Sequence, residues 1–145
     1  MKVSVQSSGG VASHARIGDH ELVFDQGSNV PGGEDRGPSP LDAMLASVAG
    51  CAHYFAAAFF RARGISPDGL RVDVEAVKAR DPEPRLARIA LEVHLPAGVP
   101  ERYLAAVERV VRGCPALGTL LRSPELELTV HREPGAEDEP LQPTG

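Results

Sequence analysis

The stretch that decides the fold of this chain is GPSPLDAMLASVAGC, residues 37–51, in which a loop turns into a helix that carries a thiol. Ser39 is suited to cap that helix, Pro40 fits its first turn and Asp42 complements the positive end of its dipole. The helix should end near residue 63, just before Gly64. Because it is apolar on almost every side, we expect most of its surface to be buried.

Strand patterns flank this helix on both sides. The predicted strands are residues 2–6, 11–17, 20–25, 70–80, 85–95 and 125–133. Two hairpins are predicted, one that pairs residues 11–17 with 20–25 and one that pairs 70–80 with 85–95. The second hairpin has one solvent-exposed face. An amphipathic helix is predicted over residues 101–113, followed by a short helix that Cys114-Pro115 opens.

The loop before the long helix and the end of the chain are both poor in core residues. Residues 25–40 are rich in Gly and Pro, and loops of that length inside a domain are usually functional or mobile. Residues 133–145 have the composition of a disordered tail. We therefore expect one folded domain over residues 1–132.

Composition narrows the classes of function. The 145 residues are 42% hydrophobic and 24% charged, which is typical of a globular protein of one domain. Four Phe, two Tyr and no Trp imply a core of aliphatic residues and Ala. Because small side chains each provide little apolar area, this suggests that a second chain completes the core. The net charge is −5 and the Arg residues are scattered, so the sequence gives no sign of nucleic-acid binding.

Neither a membrane span nor a signal peptide is indicated. The most apolar stretch, residues 43–60, contains Ser47, Gly50, His53 and Tyr54, and we expect it to be too weakly hydrophobic to cross a membrane. The first ten residues, MKVSVQSSGG, lack the apolar region of a signal peptide. The protein is therefore expected to be cytoplasmic, where cysteines are reduced, redox-active or simply buried.

The two cysteines lie in different local settings. Cys51 is about the twelfth residue of its helix, beyond the reach of the helix dipole, and its apolar neighbours disfavour a thiolate. Cys114 precedes Pro115 at a helix start, where backbone N–H groups should favour a thiolate by about 0.3–1 kcal/mol. No metal site is expected, because CxxC and HxxxH spacings are absent from the sequence. From the residues alone, both could be structural cysteines.

GPSPLDAMLASVAGC followed by CPALGTLL, which begins at Cys114, resembles the two signatures of the OsmC-like family. That family includes organic hydroperoxide resistance proteins. Its members place Asn-Pro or Ser-Pro at the start of a long central helix, a Gly-Cys or Ala-Cys later in the helix, and a Cys-Pro well downstream. Here 63 residues separate Cys51 from Cys114. The order of the other elements also fits over residues 1–132.

The resemblance implies an α+β fold in which a long central helix packs on antiparallel sheets, within a swapped homodimer whose active sites lie at the interface. It also implies reduction of organic hydroperoxides without metal, flavin or other cofactor. Cys51 would be the peroxidatic residue, which becomes a sulfenic acid. Cys114 would be the resolving residue, and a dithiol such as a lipoylated protein or thioredoxin would reduce the resulting disulfide.

This chain departs from the family pattern where other catalytic groups are expected. The family Glu that follows the helix-start Pro is replaced by Leu41. The nearest carboxylate, Asp42, lies about 180° round the helix from Cys51 and is interpreted as a first-turn residue. The family Arg could be Arg16 in the first hairpin or Arg36 in the loop before the helix, and chain proximity to Cys51 favours Arg36.

The predicted substrate-binding side chains are Met44, Val48, Tyr54 and Phe55, although core packing is an alternative explanation for each. An apolar pocket there would select bulky alkyl or fatty-acid peroxides. The leading hypothesis is thus a homodimeric, thiol-dependent hydroperoxide reductase. Two alternatives stay open: an OsmC-like scaffold that binds a small apolar or thiol ligand without turning over peroxide, and a structural dimer with inert cysteines.

Overall fold

The structure, a computed structural model, describes residues 1–132, so the predicted tail lies outside the described residues. The strands are β1 (Val3–Ser7), β2 (Ser13–Ile17), β3 (His20–Phe24), β4 (Arg71–Ala79) and β5 (Arg85–His94). The helices are α1 (Pro40–Arg61), α2 (Leu104–Arg112) and α3 (Pro115–Leu121), and a 3-10 turn over Glu101–Tyr103 leads into α2. Helices packed on antiparallel sheets make this an α+β fold, as predicted.

The first three strands form an antiparallel sheet in the order β1-β2-β3, which is called the N-terminal sheet below. Gly18, at a φ of 60°, makes the turn between β2 and β3, a backbone conformation that favours glycine. The strand pairing places polar side chains on one face and apolar ones on the other. The exposed members of the apolar face are Val3, Val5, Ile17 and Leu22, each between 40% and 56% exposed. Ala15 and Phe24 on the same face are buried and half-buried, and the rest of the face is uncovered within the single chain.

Local chemistry sets both ends of α1 as the sequence predicts. The Ser39 hydroxyl accepts a hydrogen bond from the backbone N–H of Asp42 at 3.2 Å and donates one to the Asp42 carboxylate at 2.6 Å. Pro40 occupies the first turn, where its missing N–H is not needed. The helix ends at Arg61, and Gly64 with a φ of 68° turns the chain away.

The core is built on the second half of α1. Its buried residues there are Ala52, Ala56, Ala57, Phe59 and Phe60, which pack with Leu70, Val107 and Val111. Small alanines allow β4, α2 and α3 to approach the helix closely. The first half of α1 does not share in this core. The expectation that most of α1 is buried is therefore wrong within one chain.

The exposed apolar surface of α1 includes Leu41, Met44 and Tyr54, which are 43%, 37% and 63% exposed. By length and composition this helix meets the requirement for a membrane span, with a mean hydropathy of 1.5, and 28% of that window is buried. The expectation that the stretch is too polar for a span is therefore wrong on hydropathy alone. The packing of the helix nevertheless makes it part of the protein core, because its second half is buried against β4 and α2.

The hairpin of β4 and β5 closes one side of this core. Val72, Val74, Leu91 and Val93 alternate toward the helices, as the sequence predicts. The opposite face carries charged side chains, among them Arg71, whose Nη2 lies 3.1 Å from the Asp73 carboxylate. This sheet presents one apolar face to α1 and α2 and one charged face to water.

The predicted last strand, residues 125–133, is not a strand over its described part, residues 125–132. Its alternating apolar residues Leu126, Leu128 and Val130 are 88%, 90% and 87% exposed. A strand forms only when another strand edge supplies its hydrogen bonds, and this segment has none beside it in the chain's described part. The prediction is wrong for one chain in isolation.

Candidate active site

Cys51 lies near the middle of α1, immediately before the buried Ala52. It is half-buried and free, because no disulfide is formed. Its side chain therefore sits where the packed half of the helix meets the exposed half. A molecule from solvent can approach this thiol.

Cys114 occupies the start of α3, directly before Pro115. Its Sγ accepts a hydrogen bond from the backbone N–H of Leu117 at 3.5 Å, so the thiol itself caps the helix. The residue is fully buried, with 0% exposure. The chain folds this way because Pro115 fixes the first helical turn while the preceding residue stays extended.

Packing of α3 on α1 brings the two thiols together, although 63 residues separate them in the chain. Cys51 interacts with the Cys114 side chain directly and raises its pKa. The structure thus unites the two residues that the sequence singled out. This pairing provides a half-exposed sulfur backed by a buried one.

Burial is the main reason why the pKa of the Cys114 thiol is raised above its ordinary value. The Cys51 side chain raises it further, and hydrogen bonds from the backbone N–H groups of Leu117 and Ala116 lower it in part. The expectation that the helix start would favour a Cys114 thiolate is therefore wrong. The N–H groups are present as expected, but loss of hydration outweighs them.

Arg36, the predicted catalytic arginine, is held by the loop before α1. Its Nε lies 3.5 Å from the Asp25 carboxylate and 3.3 Å from that of Glu34, and its Nη2 donates to the Gly9 carbonyl at 3.4 Å. None of these contacts involves a thiol, and the role of Arg36 toward Cys51 stays a prediction. Arg16, the alternative, pairs with Glu21 at 3.1 Å on the exposed sheet face.

Asp25 is a structural residue of this region that the sequence analysis missed. Its carboxylate is buried and accepts hydrogen bonds from the backbone N–H groups of Arg36, Gln26 and Glu34. These bonds, with that of Arg36 first, hold the pKa of Asp25 below its usual range although burial opposes them. The available signal was an acidic residue placed directly between a strand and a Gly-rich loop.

The sequence model of the OsmC-like protein family matches residues 32–129, which is more than half of the chain and includes both cysteines. This chain belongs to the OsmC-like family. No curated protein matches its sequence.

Solved structures share this OsmC-like fold at low sequence identity. An OsmC-like protein from Mycoplasma pneumoniae is 20% identical with a TM-score of 0.73, over 84% of this chain and 87% of that one. A Psychrobacter arcticus protein, whose description refers to osmotic stress and detoxification, is 19% identical with the same TM-score over 82% and 87%. An organic hydroperoxide resistance protein from Legionella pneumophila is 19% identical with a TM-score of 0.62 over 85% and 90%.

The predicted substrate-binding side chains surround Cys51 unequally in this OsmC-like chain. Val48, one turn before Cys51, is buried, and Phe55, one turn after it, is half-buried with its ring 5.6 Å from that of Tyr54. Met44 and Tyr54 remain exposed. All four lie on α1, and their contact with a substrate stays a prediction.

A largely apolar groove of about 640 Å³, which was not predicted from the sequence, lies between β5, α2 and α3. Its lining includes Leu91, Val93, Leu104 and Val111, together with Leu117 from the turn that Cys114 caps. Groups of three or more His, Cys, Asp or Glu residues that could hold a metal ion are absent from residues 1–132.

Proposed function

We propose that this OsmC-like protein reduces organic hydroperoxides, with Cys51 as the peroxidatic residue and Cys114 as the resolving residue. The observation that carries the proposal is the meeting of two free cysteines in one place, one half-exposed and the other buried. A dithiol such as a lipoylated protein or thioredoxin would return the pair to the reduced state. The protein would act in the cytoplasm.

The first step is attack of the Cys51 thiolate on the peroxide. A new S–O bond forms to the terminal oxygen, the O–O bond breaks, and the organic oxygen leaves as an alcohol after taking a proton. Cys51 is oxidised to a sulfenic acid and the peroxide is reduced. Because burial keeps the Cys114 thiol protonated, Cys114 does not compete for peroxide.

In the second step Cys114 attacks the sulfur of the Cys51 sulfenic acid. The S–S bond forms, and the sulfenic oxygen leaves as water with the proton of the Cys114 thiol. The direct contact of the two side chains supports this condensation, because no long movement is needed to bring the sulfurs together.

Alkyl and fatty-acid hydroperoxides fit the neighbourhood of Cys51 better than hydrogen peroxide does. Val48 and Phe55 flank the thiol within one turn of α1, and Met44 extends the apolar surface. Burial of an alkyl chain against such side chains stabilises the complex by about 0.8 kcal/mol for each CH₂ group. Hydrogen peroxide has no apolar portion that could gain this energy.

A homodimer completes the protein in this proposal. The apolar face of the N-terminal sheet and the first half of α1 are both uncovered in the single chain. Several exposed apolar residues on one face are typical of an interaction site. A second copy in a swapped arrangement would cover both surfaces and would place Cys51 near the interface.

A second candidate function is binding of a small apolar ligand without turnover of peroxide. Two observations favour it: Leu41 follows Pro40 where characterised family members have a Glu, and the groove beside α3 is lined by aliphatic side chains. This candidate predicts thiols that survive peroxide.

The test is to incubate the reduced protein with cumene hydroperoxide and to measure free thiols and intact mass. We expect both thiols to disappear with no mass gain, as a disulfide requires. Cys51→Ser should abolish peroxide consumption, and Cys114→Ser should stop at the sulfenic acid. Ser47→Ala, one turn before Cys51 on the exposed side of α1, is the matched control and should behave as the unmodified chain does. Thiols that survive millimolar peroxide would refute the peroxidase function.

A further inference from the structure

The two sulfurs of the cysteine pair differ sharply in access. Cys51 is half-buried, whereas Cys114 is 0% exposed beneath α1 and its own helix turn. A disulfide formed between them would keep this asymmetry, because both residues belong to packed helices. The two sulfurs of such a disulfide are chemically identical, so their different exposure to solvent is what distinguishes them.

Thiol–disulfide exchange requires that the attacking thiolate approach one sulfur from the side opposite the S–S bond. Cys114, at 0% exposure, offers no surface to an incoming thiolate, whereas Cys51 is partly exposed. We infer that the dithiol reductant attacks Cys51, an inference that rests on the proposed disulfide. Cys51 then carries the mixed disulfide, and Cys114 is the leaving thiol.

One thiolate of the reductant forms an S–S bond to Cys51 while the Cys51–Cys114 bond breaks and the electron pair goes to Cys114. The second thiol of the reductant then displaces Cys51 and closes a cyclic disulfide. The reductant is oxidised by two electrons, and its two protons end on the two cysteines.

Leu117 assists the departure of Cys114 through its backbone rather than its side chain. Its N–H donates to the Cys114 Sγ at 3.5 Å, and a donor aimed at the leaving sulfur stabilises the charge that develops there. The next N–H, that of Gly118, is already bound to the Cys114 carbonyl. Leu117 is thus a positioning residue for the reductive step.

The first test maps the attacked sulfur. The protein is oxidised with diamide, treated briefly with 2-mercaptoethanol, alkylated with N-ethylmaleimide and digested for mass analysis. We expect mercaptoethanol on the Cys51 peptide and maleimide on the Cys114 peptide, in excess over the reverse pattern by about tenfold. The reverse pattern, an equal mixture, or failure of diamide to form the disulfide would overturn the inference.

The second test separates the Leu117 N–H from its side chain. Leu117→Pro removes the donor in the first turn of α3, where backbone N–H groups have no helical acceptor, and Leu117→Ala removes a similar amount of packing but keeps the donor. Reduction of the diamide-formed disulfide by dithiothreitol should be slower in the Pro variant than in the Ala variant by about tenfold. Equal rates in two folded variants would show that the N–H has no such role.

Diamide also keeps this inference separate from the proposed function. If diamide forms the disulfide but cumene hydroperoxide does not, the peroxidase proposal fails while the preference for Cys51 is still measured. If hydroperoxide forms the disulfide but the mercaptoethanol label lies on Cys114, the function stands and the inference fails.

Discussion

At the scale of single residues, burial decides the chemistry of Cys114. The thiol receives backbone N–H hydrogen bonds that favour its ionised form, yet its pKa is raised because the surroundings exclude water. The unfolded chain would release this proton at lower pH than the folded chain does. Ionisation therefore costs folded stability as the pH rises past the ordinary value of 9.0.

Alkylation kinetics test this directly. In Cys51→Ser, where Cys114 is the remaining cysteine, iodoacetamide should react slowly at neutral pH, and the rate should climb only above 9.0. The same variant unfolded in guanidinium chloride is the control and should react at lower pH. A folded-state rate that rises through neutrality would mean that the helix-start N–H groups prevail over burial.

Asp25 gives the second prediction at this scale. Asp25→Asn replaces a carboxylate that receives the N–H groups of Gln26, Glu34 and Arg36 by an amide with one oxygen fewer, so the melting temperature should fall by several degrees at neutral pH. Because the folded pKa is lowered, this stability is present above the unfolded pKa and is lost as pH falls through the folded value.

Calorimetry over a pH series checks the Asp25 prediction. The difference between Asp25→Asn and the unmodified chain should shrink toward acid pH. Glu21→Gln, which breaks an exposed ion pair with Arg16, is the matched control and should change the melting temperature little. A difference that is constant with pH would show that the Asp25 charge is not what the loop requires.

Among the helices and strands, those whose ends and partners are set by neighbouring residues were predicted correctly. A strand that needs a distant partner was not. The limits of α1 follow from Ser39, Pro40 and Gly64, which act through their immediate neighbours, and the sequence predicted them to within two residues. The β4–β5 hairpin was equally predictable, because its alternation and its pairing partner lie in one continuous segment. Residues 125–132 alternate as clearly, but no local feature specifies an edge for them to join.

The same distinction between local and distant contacts applies to the residues of the candidate site. The spacing and order of Cys51 and Cys114 identified the pair only through the family likeness, since nothing local to either thiol reports the other. The burial of Cys114 depends on how α3 packs against α1, so its raised pKa could not be foreseen from the residues beside it. Asp25 was missed for a related reason: its three donors come from loop residues up to eleven positions away.

At the scale of the whole molecule, the surfaces left open by the chain match one another in character. The N-terminal sheet has an apolar face, α1 exposes Leu41, Met44 and Tyr54, and Leu126, Leu128 and Val130 form an exposed alternating pattern near the end of the described chain. Single exposed apolar residues are normal, but contiguous faces of this kind mark sites of association. A second copy of the chain is the proposed occupant of these surfaces.

A dimer should therefore have twice the chain mass of 15.3 kDa, measured by size-exclusion chromatography with light scattering. Leu22→Glu places a charge on the apolar face of the N-terminal sheet, where burial against a second copy would strip it of water, and it should weaken the dimer by about tenfold or more. Glu21→Gln alters the neighbouring residue on the opposite, polar face and should leave the mass unchanged. A single-chain mass for the unmodified protein at micromolar concentration would contradict the proposed assembly. If Leu22→Glu instead kept the dimer mass, association would have to proceed through α1 rather than through the sheet.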